Sequence, residues 1–76
     1  MEIQDFITNF SNQFDDTDFA EFSPDTNFRD LEEWSSLTAL AVLNMIEKKY
    51  STNVKANEML TASTIQELFD LVKSKV

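Results

Sequence analysis

The sequence predicts an all-α domain: a small four-helix bundle of three main helices and one short helix, with a long first loop. Three observations predict it. Apolar residues recur at helical spacing wherever a period can be read, and no segment alternates as a strand would. The chain has 76 residues, which suits one small domain over 1–76. It has no glycine and a single proline, so its breaks must come from clusters of Asp, Asn, Ser and Thr.

The first helix is expected over residues 2 to about 14. Ile3, Phe6, Ile7, Phe10 and Phe14 fall on one stripe, and Gln4, Asp5, Thr8, Asn9 and Asn12 oppose it. Residues 15 to about 35 are irregular. Asp15-Asp16-Thr17-Asp18 and Ser23-Pro24-Asp25-Thr26-Asn27 favour turns. Phe19, Phe22, Phe28 and Leu31 lie between and after them, which implies a loop pinned to the core. A short helical turn is expected near Phe28 to Leu31. As core residues, the phenylalanines need no ligand to explain them, and Trp34 is expected to pack over this loop, the alternative being an exposed place beside Ser36.

A second helix starts near Ser35 or Ser36 and runs to about Tyr50. Serine caps helix starts well, and Lys48 and Lys49 complement the dipole in the last turn. Ser51-Thr52-Asn53 ends it, with Asn53 the expected left-handed residue. Residues 56 to 61 can form only a short helix, with Met59 and Leu60 directed inward. The last helix follows Ser63 or Thr64, capped by Ser63 with Gln66 or by Thr64 with Glu67. Its stripe is Ile65, Leu68, Phe69 and Val72.

The second helix is apolar on two sides. Ala39, Val42, Leu43, Ile46 and Tyr50 form an ordinary core stripe. Leu37, Leu40, Ala41 and Met45 lie opposite, where charges are usual. One explanation is cover from both sides within the domain. The other is an exposed apolar strip that docks other proteins.

Composition excludes much chemistry. Histidine and cysteine are absent, which removes imidazole–nucleophile pairs, disulfides and thiolate metal sites. Without glycine there is no glycine-rich phosphate loop. Six basic against 14 acidic residues leave a net charge of −8, unsuited to nucleic acid or to an anionic membrane surface. Basic patches on other proteins are the expected partners. Asp15, Asp16, Asp18 and Glu21 lack the ligand spacing and the glycine of a calcium loop, so no metal site is expected. With no leader-like start and no stretch of roughly 18 apolar residues, a cytoplasmic monomer without membrane insertion is expected. No nucleophile–base pair is available, so an enzyme is not expected.

Asp30-Leu31-Glu32-Glu33-Trp34-Ser35-Ser36-Leu37 leads into Thr38-Ala39-Leu40-Ala41-Val42-Leu43-Asn44-Met45-Ile46-Glu47-Lys48-Lys49-Tyr50. This stretch resembles the acyl carrier protein family around its Asp-Ser-Leu attachment motif. An acidic loop precedes the motif, an apolar helix follows it, and Phe28 stands eight positions before Ser36. The resemblance covers essentially the whole chain. It implies that Ser36 carries 4′-phosphopantetheine derived from coenzyme A, with Ser35 standing where the family usually has Asp. It also implies a phosphopantetheinyl transferase and acyl-transfer and chain-elongation enzymes as partners. These would dock on Asp30, Glu32, Glu33, Ser35, Leu37, Leu40, Ala41, Met45 and Glu47. An attached chain would rest near Leu40, Ile46, Met59 and Leu60.

The physics suits such a carrier. A chain without thiol or imidazole needs a borrowed sulfur to hold an acyl group as a thioester. A phosphodiester on Ser36 would meet the positive end of a helix dipole. The expected role is therefore acyl carriage in fatty acid or related biosynthesis. The alternatives are aminoacyl or polyketide cargo, or an unmodified helical adaptor that uses the Leu37/Leu40/Met45 face.

Overall fold

The computed structural model describes residues 2–76. Its helices are α1 (Ile3–Ser11), α2 (Ser36–Tyr50), α3 (Ala56–Met59) and α4 (Ile65–Lys75). Two 3-10 turns, Phe19–Glu21 and Phe28–Asp30, interrupt the long first loop. Among the described residues no strand forms; a lone antiparallel bridge joins Asn27 to Thr64. The all-α bundle with one short helix is therefore the observed fold.

Helix α1 packs against both α2 and α4. Phe6 meets Tyr50 of α2 at 5.7 Å and Phe69 of α4 at 5.5 Å between ring centroids. Asn9 Nδ2 donates to the Tyr50 hydroxyl at 3.0 Å. The regular α-helix ends three residues earlier than the apolar stripe implies. Gln13 N–H bonds Phe10 O and Phe14 N–H bonds Ser11 O, both with i to i−3 geometry. The Ser11 hydroxyl and the Gln13 amide take the Thr8 and Asn9 carbonyls, so side chains compete with the helical ladder there. Phe14 nonetheless stays on the stripe and is buried.

The first loop is an aromatic structure. Phe10 lies among Phe14, Phe22, Phe28 and Trp34, with centroids 5.4 to 6.4 Å away. Trp34 is half-buried and meets Phe28 at 4.8 Å. Phe22 and Phe28 are buried in the core, and Leu31 packs against that core. Phe19 departs from expectation, being 54% exposed. It opens a 3-10 turn capped by Asp18, whose carboxylate accepts from Ala20 N–H. A single short turn projects its side chains in several directions, and here the aromatic faces outward.

Ser51, not Asn53, takes the left-handed conformation after α2, with φ 54°. Its N–H still bonds Glu47 O, so the helical ladder runs to residue 51 and the reversal must fall there. A non-glycine residue in this region carries a cost of about 1–2 kcal/mol. Ser51→Gly is therefore expected to raise stability by about 1 kcal/mol, after the added freedom of the unfolded chain is counted. A higher urea midpoint at unchanged slope is the result to look for. Helix α4 begins as one of the two expected boxes: Thr64 Oγ1 accepts from Glu67 N–H, and Glu67 accepts from Thr64 N–H. Ile65, Leu68, Phe69 and Val72 are all buried.

Candidate functional site

The start of α2 separates two adjacent serines. Ser35 is the N-cap, in extended conformation. Its hydroxyl accepts from Thr38 N–H at 3.4 Å, and Thr38 Oγ1 accepts from Ser35 N–H at 2.7 Å. The Thr38 hydroxyl also donates to the Glu33 carbonyl, 3.0 Å away. This reciprocal pair satisfies two groups at the helix start, as a capping box does. Ser36 is the first residue inside the helix and is exposed. Its hydroxyl takes no part in the network. Ordinary capping therefore accounts for Ser35 and leaves Ser36 unexplained.

Ser36 lies at the edge of a groove of about 370 Å³ between α2, α3 and the first loop. The lining includes Trp34, Leu40, Leu43, Met59 and Leu60, so it is mainly apolar. Of the four residues expected to receive a chain, Leu40, Met59 and Leu60 line this groove. Ile46 does not; it is fully buried in the core. Six residues beyond Leu40, it lies about 120° around the helix from it and faces the shared core rather than the groove.

Leu60 also differs from expectation. Met59 is buried, whereas Leu60 is 71% exposed. Neighbours on a helix point about 100° apart, so a one-turn helix cannot bury both. Met59 enters the core and Leu60 hangs over the open side of the groove.

The expected apolar strip on α2 is narrower than its sequence implies. Leu37 and Leu40 are exposed, at 80% and 56%. Ala41 is half-buried. Met45 is buried in the core, so it cannot serve as an exposed docking contact. It stands three residues after Val42, on the same side of the helix, and belongs to the shared core cluster.

The acidic residues divide in the same way. Asp30, Glu32 and Glu47 are exposed. Glu33 is half-buried and turned to the first loop. Its carboxylate accepts from Asp16 N–H at 2.9 Å, from Asp15 N–H at 3.2 Å and from the Thr17 hydroxyl. Those bonds, the Thr17 hydroxyl first, hold the Glu33 carboxyl below its ordinary value of 4.5. The carboxylate expected to meet a partner instead folds the loop that leads to Ser36.

Two further carboxylates fix local structure, Glu58 in α3 and Glu67 at the start of α4. Glu58 is lowered by the Lys55 N–H and by Lys75, whose Nζ is 2.8 Å away. Glu67 is lowered by the N–H groups of Ser63 and Thr64. A carboxylate with a lowered native pKa stabilises the fold fully above its ordinary value. That stabilisation is lost as pH falls through the native value. Relief of the net charge of −8 acts oppositely on acidification, so a comparison with a variant is needed. Glu33→Gln is expected to lower the urea midpoint at neutral pH. The gap from wild type should narrow as pH falls progressively below 4.5; a gap that holds constant would show that ionisation of Glu33 contributes nothing.

Sequence reading missed Arg29, Trp34, Ala39, Leu43 and Ala56 as groove residues. Arg29 had a signal: it is the only arginine in an acidic chain and follows the pinned Phe28. The others had none, since Leu43 and Ala39 sit on a stripe that reads as core.

The groove and hydroxyl fit a tethered group. Ser36 offers an unengaged primary alcohol at a helix start, where main-chain N–H groups lack intrahelical partners. Beside it lies an apolar channel rather than a charged one. A family model described as a phosphopantetheine attachment site matches residues 11–72. No curated protein and no solved structure matches the chain.

Proposed function

The chain belongs to the phosphopantetheine attachment family, and from that premise we propose that Ser36 bears its arm. Domains of this family are sites of covalent 4′-phosphopantetheine attachment and act as carriers. One observation carries the choice of residue. Of the two serines before Leu37, only Ser36 has a hydroxyl outside the capping network, and it opens onto the groove.

When bound, the arm supplies the thiol on which a carrier holds its cargo as a thioester. The residues of this chain do the rest. Ser36 anchors. The first turn of α2 offers main-chain N–H groups to a phosphodiester. Leu40, Leu43, Met59 and Leu60 offer apolar cover to a cargo chain. That cover favours saturated acyl cargo, as in fatty acid or related biosynthesis, over charged aminoacyl cargo.

Carrier domains of this family work with transferases and acyl-handling enzymes. On this chain we assign docking to Leu37, Leu40 and Ala41, with Ser35 at the helix start and Asp30, Glu32 and Glu47 around them. Two exposed leucines inside an acidic rim suit an enzyme surface that is basic with an apolar centre. Such contacts associate fast and release readily, as a shuttling monomer requires. Among the described residues no helix is long and apolar enough to cross a membrane.

The test is intact mass after incubation with coenzyme A and a phosphopantetheinyl transferase. A gain of one phosphopantetheine mass, mapped to Ser36, is expected. A gain mapped to Ser35, or none with several transferases, would overturn the assignment.

A further inference from the structure

Helix α3 has four residues, too few to hold its shape alone. Yet it forms one wall of the groove through Ala56, Met59 and Leu60. Burial of Met59 and the Glu58 contacts with Lys55 and Lys75 hold its inner side and its start, and Arg29 ties its end to the first loop. The Arg29 Nη2 donates to the carbonyls of Met59, Leu60 and Ala62, at 3.2, 2.9 and 2.6 Å. Met59 is the last residue of α3, Leu60 its C-cap and Ala62 lies two residues beyond. The guanidinium carbon lies 5.3 Å from the centre of the Phe28 ring. Phe28 is itself fully buried, and its N–H bonds Ser63 O at 3.3 Å. Arg29 therefore bolts α3 to a rigid 3-10 turn of the first loop.

We propose that Arg29 sets the width of the groove and so determines which acyl chain length the carrier shields. The proposal rests on the reading of Ser36 as anchor and of the groove as the resting place of the chain. The opposite wall, Leu40 and Leu43, belongs to the fifteen-residue α2 and is fixed by its buried face. The α3 wall has Arg29 as its clamp. With the clamp in place, Met59 and Leu60 stand at a constant distance from α2, and successive methylenes find contact on both sides. Without it the short helix separates from the turn, and added methylenes meet one wall only.

The experiment uses the full chain loaded by a phosphopantetheinyl transferase from acetyl, butyryl, octanoyl and dodecanoyl coenzyme A. Intact mass confirms loading of each sample. Two properties are then read: the rate of thioester cleavage by hydroxylamine, and the emission of Trp34, which lines the groove and is the only indole in the chain. In the wild type the cleavage rate should fall by about fivefold from acetyl to octanoyl, with a matching shift of Trp34 emission. In Arg29→Gln, with helix content at the wild-type level, the fall should be less than about twofold and the emission should not follow chain length.

Arg29→Lys keeps the charge and the stem over Phe28 but not the planar fork. It should lie between the two, and it carries the test alone if the glutamine variant does not fold. A wild-type slope in either folded variant overturns the role of Arg29. A flat profile in fully loaded wild type also overturns it, because no chain is then shielded. Absence of any mass gain is a different failure: it removes the carrier reading itself, and this proposal with it.

Discussion

Ser36→Ala is expected to abolish the mass gain from coenzyme A completely, whereas Ser35→Ala should retain it. The two hydroxyls are adjacent in sequence and chemically identical, so only their placement separates them. Ser35 accepts from Thr38 N–H and holds the helix start. Removing that acceptor costs the cap, about 1 kcal/mol, and leaves the nucleophilic alcohol in place. Ser36 has no capping duty, so Ser36→Ala should leave the urea midpoint almost unchanged. The pair thus predicts a double dissociation. One variant loses modification and keeps stability, and the other keeps modification and loses some stability. Intact mass and urea unfolding on the same preparations check both. The reverse pattern would place the arm one residue earlier.

Phe10→Ala should have the largest effect on the fold. Phe10 is fully buried, and it joins α1 to Phe22, Phe28 and Trp34 of the first loop. Truncating a buried phenylalanine costs about 3–5 kcal/mol. A chain of this length has a total stability of about 4 to 11 kcal/mol. Most or all of the folded population is therefore at risk, and the loop before Ser36 loses its anchor first. Phe19→Ala is the control. The same residue type is exposed there, and the change should alter the midpoint little. Thermal unfolding followed at 222 nm, a helix signal, ranks the two variants; equal losses would mean that the loop aromatics do not act as one core.

The same comparison explains what could be read from sequence. A helix imposes its own period, so Phe6, Ile7 and Phe10, or Ile65, Leu68 and Val72, declare a buried face without knowledge of any neighbour. Capping is equally local. The Thr64–Glu67 box and the serine start of α2 lie within four residues of themselves. Acidic balance and absent histidine and cysteine set the chemical class, because they are properties of composition. The resemblance around Ser36-Leu37 added the cofactor, which periodicity could not supply.

Other features depend on which surfaces meet. Met45 reads as exposed when α2 is considered alone, and it is buried because that side of α2 joins the shared core. Leu60 reads as core until the brevity of α3 forces a choice between it and Met59. Glu33 looks like one more surface charge, yet the loop at Asp15 to Thr17 folds back across many residues to bond it.

The chain's linear order thus determined its charge, its helices and the surroundings of the proposed attachment serine, because charge is composition and the others arise from contacts within a turn or two of backbone. Capping within the first turn of α2 settled which of two serines stayed free, whereas tertiary packing alone decided which leucines remained in water and that Arg29 would brace the wall of a groove. Those outcomes rest on bonds and contacts between residues up to 33 positions apart, as between Arg29 and Ala62, and no local pattern encodes such meetings.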